Sequence, residues 1–146
     1  MFTRFQENVY YLMGLIEEIG RETNNHRSFI VNTFGVKWIS HVLECTDAYS
    51  CDDVKFVAKE FIDDLSIPNG DFITPKDVPG LWGVAGTYAY LVNGIIEFDE
   101  DLDSVSNKII EIFSSRIVDI IAHYETDMFY QSPQYIRACY DADDIL

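Results

Sequence analysis

Apolar side chains recur at intervals of three and four along nearly the whole chain, the spacing that places them on one face of a helix. In the first segment Phe5, Val9, Leu12, Ile16 and Ile19 form the stripe, with Glu7, Glu17, Glu18 and Arg21 off it. Thr3 followed by Gln6 reads as a capping box with Phe2 available for a hydrophobic staple. A helix is therefore expected over residues 4–22, stopping at Thr23, Asn24 and Asn25. Residues 26–46 are ambiguous in composition, because the stretch from Ser28 to Phe34 is rich in aromatic and β-branched side chains. The spacing of Ile30, Phe34, Trp38, Val42 and Cys45 favours a helix there.

Val54, Val57, Ala58, Phe61, Ile62 and Leu65 make the cleanest helical pattern, which Ser50 and Asp53 open as a second capping box. Pro68, Asn69, Gly70 and Asp71 then signal a turn, and Pro75 and Pro79 exclude a helix interior, so residues 66–79 form the longest loop. Residues 78–96 carry no charge. Their length would permit a membrane span, but glycines, Pro79, Thr87 and Asn93 dilute the hydrophobicity, and acids rather than basic residues follow. A buried helix over residues 81–98, near the centre of the fold, is the expectation, with Gly83, Ala85, Gly86 and Ala89 admitting a close neighbour. Val105, Ile109, Ile112, Phe113, Ile120 and Tyr124 mark a helix over residues 104–128, and Ser132 with Pro133 opens a last short one.

With 48% hydrophobic and 14% aromatic residues, this pattern has enough apolar surface to offset the entropy of ordering the chain. The expected architecture is all-α: one domain spanning residues 1–146, a bundle of five to six helices, with room for a minor β hairpin in residues 66–79 or 27–34.

Charge is distributed unevenly over this scaffold. The formal net charge is -15, yet residues 1–43 hold four acids and four bases. Residues 44–64 hold seven acids against Lys55 and Lys59, and residues 97–146 hold twelve against Lys108, Arg116 and Arg137. Such a field attracts basic partners and repels nucleic acid and anionic membranes.

Motifs that would name a reaction are missing. An EF-hand loop beginning at Asp99, with Asp101 and Asp103 as further ligands, would need glycine at 104 and glutamate at 110, where this chain has Ser104 and Ile110. His41 with Cys45, and Asp119 with His123 and Asp127, share helix faces without completing a tetrahedral set. The glycines at 80, 83 and 86 match neither a dinucleotide nor a P-loop pattern. Cys45, Cys51 and Cys139 are an odd count without C-x-x-C spacing, which points to a reducing, cytoplasmic setting, and the N-terminus does not read as a signal peptide. No cofactor or metal is expected.

What remains is carboxylates set beside aromatics, the composition of steered, anchored interfaces. The expected function is a cytosolic inhibitor that binds a basic protein, in the manner of an immunity protein or antitoxin against a nuclease-type toxin, whose phosphate-binding site must present Lys and Arg. Asp99, Glu100, Asp101, Asp103, Glu125, Asp127 and Tyr130 are the candidate contact face, with Asp52, Asp53, Asp63 and Asp64 as a second. Neither direct nucleic-acid binding nor membrane insertion is expected. The alternatives are a nucleic-acid mimic acting on a DNA-binding enzyme, and a helical enzyme with a site near Trp38 and Trp82.

Overall fold

Thr3 opens the first helix as its residue pattern demands. In the computed structural model, which describes residues 2–75, 78–97, 100–123 and 128–146, Thr3 Oγ1 accepts the Gln6 N–H at 3.2 Å and Gln6 Oε1 accepts the Thr3 N–H at 3.0 Å. Helix α1 (Arg4–Thr23) ends where Asn24 turns left-handed, at φ 55°. The staple takes another form than expected, because the fourth helical residue is Glu7. Phe2 instead packs its ring on Tyr10 and Tyr90, with centroids 6.0 and 5.0 Å away.

The remaining helices are α2 (Arg27–Glu44), α3 (Thr46–Tyr49), α4 (Val54–Asp64), α5 (Leu81–Ile95), α6 (Leu102–Phe113), α7 (Arg116–Ala122) and α8 (Pro133–Ala142), with a 3-10 turn at Met128–Tyr130. The all-helical expectation holds among the described residues, whereas the count of five to six helices is too low and neither segment offered for a hairpin forms a strand. Residues 27–34 lie inside α2. Residues 66–75 remain irregular but dock on the α1–α2 corner, where Gly70 and Phe72 donate their N–H groups to Thr23 O and Asn24 O, both at 2.8 Å.

Two other boundaries differ for local reasons. Asp53, not Ser50, caps α4, its carboxylate accepting the Lys55 N–H at 2.9 Å. The single helix expected over residues 104–128 is broken at Ser114, and Ser115 Oγ accepts the Val118 N–H to start α7. A serine at that position competes for backbone donors and reads as a new cap.

Helix α1, rather than α5, occupies the centre. It contacts α2, α3, α4 and α5, while α6 packs on α2 and α8 on α5. Every residue from Tyr11 to Gly20 is buried, Glu17 and Glu18 included. The close helix approaches accordingly occur at glycines of α1. A Cβ on Gly14 would overlap the Trp82 ring, and one on Gly20 would sit 2.6 Å from Arg27 Cδ, whereas Gly83 has open space around it.

The acids buried in this core are Glu17 and Glu18. Glu17, with no exposure, accepts from Arg27 Nε at 2.9 Å, Arg27 Nη2 at 2.7 Å and Arg21 Nε at 2.7 Å. Arg27 also donates to Asn25 O and Thr74 Oγ1, and Arg21 to Pro79 O. The cluster thus ties α1, the first turn of α2 and the second half of the long loop together. Removing Arg27 takes two of these three N–H donors from a buried carboxylate. Arg27→Met should lower unfolding free energy by about 3–5 kcal/mol, and Glu17→Leu combined with Arg27→Met should recover most of that loss, both read from urea denaturation.

Glu22, facing Glu18 near α4, is pushed up from 4.5 to about 7, first by burial, then by its hydrogen bond to Glu18 and by that residue's charge, against the pull of Lys55 and Lys59. The folded protein holds this proton more tightly than the unfolded chain, so the stabilisation is complete below about pH 4.5 and is lost as pH rises through about 7. Glu22→Gln should flatten the stability profile across that window, as followed by denaturation midpoints against pH.

Candidate partner-binding surface

Helix α2 bends at Gly35, whose φ of 66° lies in the left-handed region that a side chain disfavours. The bend breaks the expected stripe. Phe34 stays in the core with Ile39, Val42 and Leu43, but Trp38 is only half-buried and His41 is exposed. Both face a concave surface between the second half of α2, α3, α4 and the start of α6.

That surface holds two adjoining clefts. The inner one, about 180 Å³, has Trp38, His41, Tyr49 and Phe61 as walls and Glu60 and Asp64 at its rim. The outer one, about 630 Å³, shares Trp38 and His41 and is bounded by Lys37, Ser40, Glu44 and Asp103. Acids from both acidic stretches of the sequence therefore meet here, Glu44, Glu60 and Asp64 from the first and Asp103 from the second. Burial, and then the charges of Cys45, Glu60 and Asp64, hold the Tyr49 phenol above its ordinary value, so it stays protonated at neutral pH.

The acids singled out in the sequence have unequal roles. Asp99, Glu125 and Asp127 lie outside the described residues. Glu100 is an ion-pair partner of Lys108 and accepts the Glu97 N–H at 3.1 Å; the Lys108 bond, chiefly, lowers its carboxyl below the usual range. Asp101 caps α6 by accepting the Ser104 N–H at 2.8 Å, which likewise lowers it. Asp53 is the α4 cap. These three are engaged in structure. Asp103 is exposed beside the outer cleft, held by Ser40 Oγ at 3.0 Å. Asp52 is exposed before α4, where its charge, after burial, helps push Tyr11 up to about 12.

Asp63 and Asp64 are exposed at the end of α4, whose last turn carries no basic residue. Negative charge in the last turn of a helix gains nothing from the helix dipole, so Asp63 and Asp64 draw no support from it where they stand. Tyr130 is exposed at the end of the 3-10 turn, in edge contact with Phe129. It lines neither cleft at Trp38. Trp38, His41, Tyr49, Phe61, Glu44 and Glu60 were not among the expected contacts. The signal available for them was the spacing of Glu60 and Asp64, four apart and off the apolar stripe of α4.

His41 Nδ1 is 3.9 Å from Cys45 Sγ at the C-terminal end of α2. Asp119 approaches His26 at 3.1 Å and His123 at 3.9 Å, and among the described residues no group of three or more His, Cys, Asp or Glu is arranged to hold a metal ion. Trp82 belongs to a separate groove of about 280 Å³ with Gly83, Gly86, Tyr90 and Ile136, which contains no histidine, cysteine or carboxylate. Among the described residues no helix is long and apolar enough to cross a membrane. Comparison with protein families, with curated proteins and with solved structures finds no match to this chain.

The division between engaged and unengaged acids is measurable. Asp53→Ala and Asp101→Ala should each cost about 1 kcal/mol of stability as lost caps. Asp63→Asn and Asp64→Asn should change it by less than about 0.5 kcal/mol, or raise it slightly. Denaturant midpoints of the four variants distinguish the classes.

Proposed function

We propose that this chain is a cytosolic binding protein that captures a basic protein and blocks it, as an immunity protein does with a nuclease-type toxin. The observation that carries the reading is the convergence of both acidic stretches on the Trp38–His41 surface. Aromatic groups there supply area that gains from being desolvated, and the carboxylates around them supply attraction and selectivity. Among the described residues Glu60 and Asp64 have no ion-pair partner, so their charge is open to a basic surface. A nuclease is a fitting target because its substrate channel is cationic by necessity. Occupying that channel or a neighbouring basic face needs no catalytic group in the inhibitor.

Relative to the expected contact set, the proposed face keeps Asp103 and Asp64, adds Glu44 and Glu60, leaves Asp52, Asp63 and Tyr130 outside the two clefts, and assigns Glu100, Asp101 and Asp53 to structure. The test is affinity capture from source cells, identification of the bound protein, and kinetics on the purified pair. A basic protein should associate at a rate that falls about tenfold or more from low to high salt. Lysine in place of Asp64 and Asp103 together should slow association and release any nuclease activity of the partner from inhibition. A chain that captures no basic protein, or a complex indifferent to both salt and these reversals, overturns the proposal.

A further inference from the structure

Four rings around the inner cleft touch in a closed cycle. Trp38 meets His41 at 5.4 Å, His41 meets Tyr49 at 5.8 Å, Tyr49 meets Phe61 at 5.6 Å, and Phe61 returns to Trp38 at 5.7 Å. Three of the four contacts are edge-on. Ring faces carry negative quadrupolar charge and attract cations. Carboxylates alone on a surface would say nothing of a ligand, but here a cavity walled by rings carries Glu60 and Asp64 one helical turn apart at its mouth. No lysine or arginine is among its lining residues, and among the described residues neither carboxylate has an ion-pair partner. Lys37, whose Nζ lies 5.4 Å from the Trp38 ring centroid, lines only the outer cleft and shows that the indole already draws a cation from that side.

An apolar ligand would desolvate the two carboxylates without pairing them, and an anion would be repelled. A cation satisfies rings and carboxylates together. Between the two cationic side chains, guanidinium is the better match, since its flat face stacks on a ring while its fork of N–H donors reaches separate carboxylates, where an ammonium offers a compact point charge and keeps its water more strongly. We infer that the cleft enclosed by Trp38, His41, Tyr49 and Phe61 and rimmed by Glu60 and Asp64 receives a single arginine side chain of the basic partner, as the anchor of the complex. The inference rests on the reading of this surface as the site for a basic protein, and it adds which residue of that protein is gripped and by what.

The experiment uses the intact chain and a small probe, N-acetyl-arginine methylamide, followed through the Trp38 indole N–H resonance, which is assigned with Trp38→Phe. Saturable binding on the order of millimolar is expected, weakened at least about fivefold in the Glu60→Gln/Asp64→Asn double variant by loss of both charge-assisted contacts and unchanged in Asp52→Asn, an exposed acid that lines neither cleft. Both sets of substitutions are at exposed positions, so each variant folds. Equal binding of the norleucine analogue would overturn the cation, and equal binding of the lysine analogue would overturn the guanidinium. An unmoved Trp38 signal, or an unaffected double variant, would overturn the site. A salt-sensitive complex that still depends on Asp103 while the arginine probe fails removes only this inference. Conversely, a chain that binds the probe but no basic protein removes the broader functional reading.

Discussion

The buried carboxylate of Glu17 is the constraint around which the rest of the structure is arranged. A charge with no solvent exposure persists only if it is fully hydrogen-bonded, and three N–H donors from Arg27 and Arg21 provide this. Because Arg27 is the first residue of α2, its grip on Glu17 sets the corner between the two helices. Because Arg27 also reaches Thr74 and Arg21 reaches Pro79, the same cluster holds the loop that delivers α5. Trp82 then arrives over Gly14, where any larger residue would collide with it. One ion cluster therefore bears on the α1–α2 turn, the loop path and the α1–α5 contact, and nonpolar burial fills the space it defines.

Two of the four bases in residues 1–43, Arg21 and Arg27, are committed to the buried Glu17, while Arg4 pairs with the exposed Asp47 and Lys37 lies over Trp38; the helices outside this centre carry the acidic excess. Among those outer acids, the fold separates two populations. Asp53, Asp101 and Glu100 bond to backbone N–H groups, and Glu100 also to Lys108. Among the described residues Glu60, Asp63 and Asp64 have no such bond, and Asp63 and Asp64 stand at the unfavourable end of their helix. Glu60 and Asp64 of this second population, together with Glu44 and Asp103, border a surface of aromatic rings.

Much of the local structure was legible in the residues. The Thr3–Gln6 box, the apolar stripe of α4, the proline-marked loop and the Ser132–Pro133 start of α8 depend on neighbours three or four positions away, and all appear as read. The Ser114–Ser115 break was visible only as two serines within a helical pattern. The cleft was less legible, because Trp38 sits on the Phe34 stripe by spacing alone. The left-handed Gly35 rotates it out, and α3 and α4 must arrive from later in the chain before Tyr49 and Phe61 can meet it.

The sequence by itself determined an all-helical chain, most of its helix starts, and a strongly asymmetric charge, since these follow from short-range hydrogen bonding and from composition. Tertiary structure alone decided which helix lies at the centre, which acids are consumed as caps and ion-pair partners, and that Asp103 and Asp64 flank one aromatic surface. The physical reason is that apolar periodicity says which face of a helix is buried but not against what. An acidic side chain has the same letter whether it is bonded to a backbone N–H or left facing water.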